Sequence, residues 1–231
     1  MEYEQQRSMW DHVVELRTTA LQLIVVWVIS SALTVWFQAP IFDTLLAPLG
    51  GQKLNFLSPG DPITFLIKIH LFLGFVTSFP ILLWIVWKYV AEVFSDAHRG
   101  FITTVIPAGL IFAYLGIVYG YFFLIPQSVE ILTSIQPEGT QFQLTAQAYI
   151  DFVFGLLLII MAIFQVPLII YSTIKAKLIK AQFYAQRRRE FYMGFLVATA
   201  IFTPTPDAFT LLLIVVPMIV MYEVALLLGR I

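Results

Sequence analysis

The chain has 231 residues, of which 60% are hydrophobic and 12% charged, with a net charge of −1 and a mean hydropathy of +0.88. Soluble domains are about 45–50% apolar and about 25% charged, so these proportions exclude one and indicate a chain that lives in a bilayer. With no cysteine, disulfides and thiolate metal sites are excluded, and no nucleic-acid footprint accompanies the near-neutral charge.

The in-out alternation of a membrane barrel does not recur, which leaves α-helices, because every backbone N–H in lipid must find its partner inside the segment. The expected fold class is an all-α integral membrane protein forming a single domain over residues 1–231. The stretch DHVVELRTTALQLIVVWVIS, residues 11–30, sets Asp11, His12, Glu15 and Arg17 directly against the first apolar run. Asp11 and Glu15 share one face of a helix at i, i+4. They are either ordinary interfacial charges or an anionic patch for a cationic ligand.

Six spans follow in order: Ala20 to Phe37, Ile63 to Trp87, Ile102 to Phe123, Ile150 to Tyr171, Phe191 to Phe202 and Ala208 to Leu228. The first connection carries APLGGQ and SPGDP, whose Pro and Gly stop helices and set turns. The second span contains Lys68 and His70; Lys68 either snorkels to the interface or serves a site. The second connection, WKYVAEVFSDAHRG, adds Glu92, Asp96, His98 and Arg99. It reads as a solvated loop or as a second part of the patch around Glu15.

The third connection, Gln127 to Tyr149, has room for a short helix over Gln127 to Ile135 and holds no Lys or Arg. In the fourth span Gln165 lies near mid-bilayer, where an amide must hydrogen-bond across helices or face a wet cavity, and Pro167 kinks the helix behind it. Lys175, Lys177, Lys180, Arg187, Arg188 and Arg189 crowd the fourth connection. Positive loops stay in the cytoplasm, so the distribution predicts both termini inside.

The last two spans are expected to be short. The fifth offers about 12 apolar residues, about 18 Å at ~1.5 Å each, against a hydrocarbon core of ~30 Å. In the sixth, Glu223 interrupts the run after Asp207. Two short crossings are favoured over a re-entrant hairpin. Asp207 after TPTP is placed to cap the sixth helix. His12, His70 and His98 fall on separate elements without metal-ligand spacing, and neither a nucleophilic triad nor a phosphate-cradling loop occurs, so no cofactor, no metal and no enzymatic activity are expected.

HVVELR before the first span, LAPL after it, SPGDPITFLIKI entering the second, FPILLWIVWKYVAEVF leaving it, YGYFFLIP in the third, FQVP in the fourth and TPTPDAF between the last two helices resemble the TatC family. Pro48, Pro62 and Pro126 belong to these motifs as structural residues. Each motif is weak alone, but their ordered set is specific and extends over nearly the whole chain.

The resemblance implies the six-span receptor subunit of the twin-arginine protein translocase, in the cytoplasmic (inner) membrane of a prokaryote, with a concave, glove-like fold capped by the outer loops. It also implies partners: twin-arginine signal peptides of folded cargo proteins, TatA- and TatB-type single-span subunits, further copies of the chain and the bilayer itself, with export driven by the proton gradient. By the same resemblance Glu15 meets a signal-peptide arginine, Arg17 belongs to its motif, and Tyr89 forms part of the binding surface.

The family's second acidic contact aligns with His98, and Glu92 or Asp96 can supply the missing charge. The glutamate frequent before the proline of the fourth span is Gln165 here, and the basic residue common after ELR is replaced by Thr18 and Thr19. Lys68, Gln165, Pro167, Asp207 and Glu223 are expected at intramembrane polar or partner-docking positions. The rival reading, motivated by Lys68, His70 and Gln165 inside spans, is a small-solute secondary transporter, although the missing internal repeat counts against it.

Overall fold

The computed structural model describes residues 9–51, 53–91, 99–134, 144–203 and 207–230. Among them the regular structure is helical, apart from one isolated bridge between Asn55 and Thr145. The helices are α1 (Met9–Thr34), α2 (Gln38–Leu46), α3 (Asp61–Ala91), α4 (Arg99–Tyr119), α5 (Ile125–Ser134), α6 (Ala146–Ile163), α7 (Val166–Lys175), α8 (Ala181–Gln186), α9 (Arg188–Phe202) and α10 (Ala208–Arg230). Five helical stretches are long and apolar enough to cross a membrane: Val14–Leu49, Asp61–Tyr89, Val105–Leu132, Ala146–Lys175 and Ala208–Gly229.

These stretches differ from the sequence expectation in instructive ways. The charged segment before the first span is the first turns of α1, continuous with it. The third stretch does not stop at Phe123, because a π-helical turn over Gly120–Leu124 joins α4 to α5. The fourth is broken outright: α6 ends at Ile163 and α7 begins at Val166, with Gln165 as its N-cap residue and Pro167 in its first turn. Proline lacks the N–H that would have bonded the carbonyl of residue 163, so the ladder is interrupted there.

The expectation for the last two spans is half corrected. α9 is short, with 15 residues. α10 has 23, or about 34 Å at ~1.5 Å per residue, enough to cross. Glu223 does not end its membrane-crossing run, because its charge is matched by a neighbouring helix, as described below.

The chain divides into two compact units, one of Met1–Gln38 with Ile67–Ile106 and one of Ala39–Leu66 with Pro107–Ile231. In the first, α1 and α3 run antiparallel. The Trp27 indole N–H donates to the Leu71 carbonyl at 2.8 Å, Ser31 lies against Gly74, and Thr34 Oγ1 is 2.9 Å from His70 Nδ1. Gly74 is required by this approach: a Cβ there would lie 2.0 Å from Ser31 Oγ and 2.5 Å from its Cα.

The second unit holds most of the core. Tyr149, Ile150, Leu156 and Ile160 of α6 and Ile214, Tyr222 and Leu226 of α10 are at most 1% exposed. The α4–α6 contact passes Gly116, where a Cβ would meet the Ile160 carbonyl oxygen at 3.1 Å; small residues bring membrane helices close in this way. Pro62 stands in the opening turn of α3, where the missing N–H costs nothing, whereas Pro48 and Pro126 lie inside continuous helical stretches, Pro126 directly after the π-helical turn. At the entry to α3, Asp61 Oδ2 accepts from the N–H groups of Leu57 and Ser58, both at 2.9 Å.

Candidate functional site

The residues expected to meet a signal peptide belong to the first unit. Glu15 on α1 is half-buried and Arg17 exposed, while Tyr89 near the end of α3 is half-buried. Thr18, at a position where a basic residue was expected, turns its hydroxyl back to the Val14 carbonyl at 2.9 Å, so it is absorbed by its own helix. Glu92, Asp96 and His98 lie outside the described residues. Lys68, also in this unit, is half-buried on α3.

One group here was missed from sequence. The Trp87 indole nitrogen, one turn before the end of α3, is buried with no acceptor among the described residues. A tryptophan in an apolar span reads as core or interface, and nothing in WIVWKYV separates Trp87 from Trp84.

The intramembrane polar residues of the second unit are brought to three different places. Gln165 Nε2 donates to the Gly109 carbonyl of α4 at 3.1 Å. This is the interhelical bond expected of a mid-span amide, made at the break between α6 and α7. Pro167 is buried beside it. Asp207 Oδ1 accepts from the Thr210 N–H at 2.6 Å, the Ncap-to-N3 bond of a helix start. Thr210 in turn gives its hydroxyl to Ser128 Oγ of α5 at 3.1 Å, and both residues are fully buried.

Glu223 is engaged within the chain. Arg188, first residue of α9, approaches it with two nitrogens: Nε at 2.8 Å from Oε1 and Nη2 at 2.9 Å from Oε2. The Tyr192 hydroxyl donates to Oε1 at 2.5 Å. The Nη2 contact is a charge-assisted hydrogen bond, while Nε is held close without hydrogen-bond geometry, and the pair joins the start of α9 to the last third of α10. Arg188 and Tyr192 had no signal in the sequence: Arg188 is one of three consecutive arginines, and its partner is 35 positions away.

Toward mid-helix the same two helices meet through rings. Tyr222 lies 5.3 Å from Phe191 and 5.6 Å from Phe195 between centroids, and the Tyr222 hydroxyl donates to the Tyr184 carbonyl at 2.7 Å. Past the aromatic cluster, a cavity of about 390 Å³ opens between Leu158, Ile159 and Ile163 of α6, Val166 of α7, Thr199 of α9 and Met218 of α10. No group of three or more metal-ligating side chains occurs among the described residues.

Comparison with known proteins covers nearly the whole chain. Residues 11–217 match the family model described as Sec-independent protein translocase protein (TatC). A protein of that name from Aquifex aeolicus is 29% identical over 228 residues, spanning 95% of this chain and 93% of the relative. The Escherichia coli K12 protein of the same name is 24% identical over 235 residues, spanning 100% and 91%. A crystal structure of the twin-arginine translocase receptor TatC superposes with a TM-score of 0.81 at 28% identity, covering 95% of this chain and all of the other.

Proposed function

This chain belongs to the TatC family of Sec-independent protein translocase proteins, and from that premise we propose that it is the receptor subunit of a twin-arginine translocase, reading the arginine pair of an export signal at one end of the α1–α3 helix pair. It is a component of a protein-translocation system, and its work is binding and passage without chemistry on the cargo.

The observation that carries the reading is the antiparallel register of α1 and α3. Ser31 with Gly74 and Thr34 with His70 set the pairing, and the Trp27 indole reaches along the seam to Leu71. Counting that register on toward the start of α1, in this reading Glu15 faces the last two turns of α3, which carry Trp87 and Tyr89. The segment with Glu92 and Asp96 follows directly in the chain. A carboxylate beside aromatic surface suits guanidinium, which takes a bidentate hydrogen-bonded pair and stacks on rings. Lysine, a point charge, gains less from both, so an arginine pair is selected.

The wider assembly follows the same reading. The chain crosses the inner membrane six times, with α9 as the short fifth crossing and both termini cytoplasmic, as the basic connections at Lys88 to Arg99 and Lys175 to Arg189 require. At 15 residues α9 reaches only about 22 Å, so the bilayer thins around it or the helix sits deep. Single-span TatA- and TatB-type partners dock on the side of Gln165 and the Asp207 turn, further copies of the chain join the complex, and the proton gradient drives passage. Gln165 does not titrate, so any proton step runs elsewhere.

The solute-transporter reading is weakened at two of its three motive groups. Gln165 is bonded to Gly109 and His70 to Thr34, so neither is held ready for a solute.

The test is site-specific photocrosslinking from positions 15, 89 and 98 to a signal peptide carrying Arg-Arg or Lys-Lys. Crosslinks from all three that fall sharply with Lys-Lys are the expected result. Equal crosslinking to both peptides, or none from position 15, overturns the assignment.

A further inference from the structure

We propose that the cavity beside the α6–α7 break is a phospholipid site: it holds the end of an acyl chain whose anionic headgroup rests on the basic ends of α7 and α9. The site goes beyond the receptor function and does not depend on it.

The lining comes first. Leu158, Ile159, Ala162, Ile163, Val166, Ala198 and Met218 surround the space, with Thr199 as the one side chain bearing a polar atom. That hydroxyl is on a residue 2% exposed. The polar group of the break itself is not part of the lining, and its Nε2 donates to Gly109. A cavity of about 390 Å³ with so few hydrogen-bonding groups does not hold ordered water, which needs two to four polar partners, and takes an apolar occupant.

Depth identifies the occupant. Val166 lies nine residues from Lys175 at the end of α7, and Thr199 eleven residues from Arg188 at the start of α9. At ~1.5 Å per residue these are about 14 Å and about 16 Å. Half of a ~30 Å hydrocarbon core is about 15 Å. Val166 therefore stands one leaflet away from the basic rim, where the acyl chains of that leaflet end, and Thr199, in the short α9, reaches slightly beyond that level. α7 and α9 both pack on α10, which supplies Met218 to the cavity.

Charge identifies the headgroup. The rim between Lys175 and Glu190 carries Lys175, Lys177, Lys180, Arg187, Arg188 and Arg189. Its carboxylates are Glu190, 3.6 Å from Arg187, and Glu223, which Arg188 occupies. Lys175, Lys177, Lys180 and Arg189 are exposed, leaving a cationic surface at the headgroup level of the leaflet whose chains reach the cavity. Basic clusters at helix ends attract anionic lipid.

The experiment reconstitutes the full chain in equimolar phosphatidylglycerol and phosphatidylcholine, strips lipid stepwise with detergent, and counts retained lipid by native mass spectrometry. The wild type is expected to keep phosphatidylglycerol severalfold over phosphatidylcholine. Ala198→Phe, which fills the cavity, and the rim double variant Lys177→Gln with Arg189→Gln are each expected to remove that preference. A short-chain phosphatidylglycerol, with the same headgroup but tails that stop before the cavity, is expected to be lost at lower detergent than the long-chain lipid; this arm needs no variant.

Equal retention of the two headgroups by the wild type, equal retention of short and long chains, or undiminished retention by Ala198→Phe overturns the proposal. So does unchanged lipid binding in Ala198→Phe combined with lost crosslinking to a single-span partner, which assigns the cavity to a protein side chain.

Discussion

In the first membrane-length stretch, Val14–Leu49, 11% of the most hydropathic window is buried inside the protein, whereas in Ala146–Lys175 the figure is 56%. Both are apolar enough to cross a bilayer, yet one turns Leu21, Ile24, Val25, Val28 and Ile29 outward and the other builds a core around Tyr149, Leu156 and Ile160. Lipid tails are as apolar as leucine, so hydrophobicity does not choose between the two fates. The choice is made by what else the helices carry. α1 has a few polar contacts and one glycine to hold it to α3, while α6 to α10 have glycine contacts, a ring cluster and a hydrogen-bonded ion pair.

The contrast is sharpened most by a change that ought to affect binding and leave folding alone. Glu15→Lys reverses the charge on the sparsely packed helix, and binding of an Arg-Arg signal peptide is expected to vanish while the protein inserts and melts as the wild type does. Peptide binding within twofold of wild type, measured on detergent-purified protein, would remove the carboxylate from the site.

Gly74→Val attacks the seam of the same pair. It forces α3 away from the Ser31 backbone, an overpacking cost of about 3 kcal/mol, and is expected to abolish crosslinking from positions 15 and 89 together. Thermal melting followed beside crosslinking checks that both fall.

In the densely tied region the expected losses are smaller and fall on stability. Arg188→Ala leaves Glu223 without its partner. The pair is 42% and 32% exposed on its two sides, so the full cost of a buried pair is discounted to about 1–2 kcal/mol. Exchanging the two residues, Arg188→Glu with Glu223→Arg, is expected to recover more than half of either single loss. Additive losses in that cycle would mean that the pair is not coupled.

Asp207→Ala removes the N-cap bond to Thr210 and is expected to cost about 1 kcal/mol, with Asp207→Asn near wild type. Gln165→Ala forfeits one neutral interhelical bond, about 0.5–1 kcal/mol, and is expected to leave peptide crosslinking from position 15 unchanged. A melting temperature unmoved by this variant would mean that the Gly109 contact carries no stability.

Much of the chain was legible before any coordinates. Spans of about 20 apolar residues, a proline that breaks the fourth span and the acid after TPTP follow from short-range rules, and the structure returns the Asp207 cap and the interruption at Pro167. The sixth helix was misjudged for a physical reason. A glutamate in an apolar run signals an end only if its charge stays unmatched, and matching depends on an arginine 35 positions earlier.

The amino-acid sequence by itself determined that this chain is a bundle of membrane-length helices, where they start and break, and the family to which its ordered motifs belong. Those properties depend on transfer of side chains to lipid and on backbone bonds within a few residues. Only the tertiary structure decided that Glu223 belongs to Arg188 and Tyr192, that Gln165 is spent on Gly109, that Gly74 admits Ser31, and that an apolar hollow remains beside the proline break. Each of those is a meeting of groups distant in the chain, and hydropathy, the quantity a membrane sequence displays most plainly, carries no record of which groups meet.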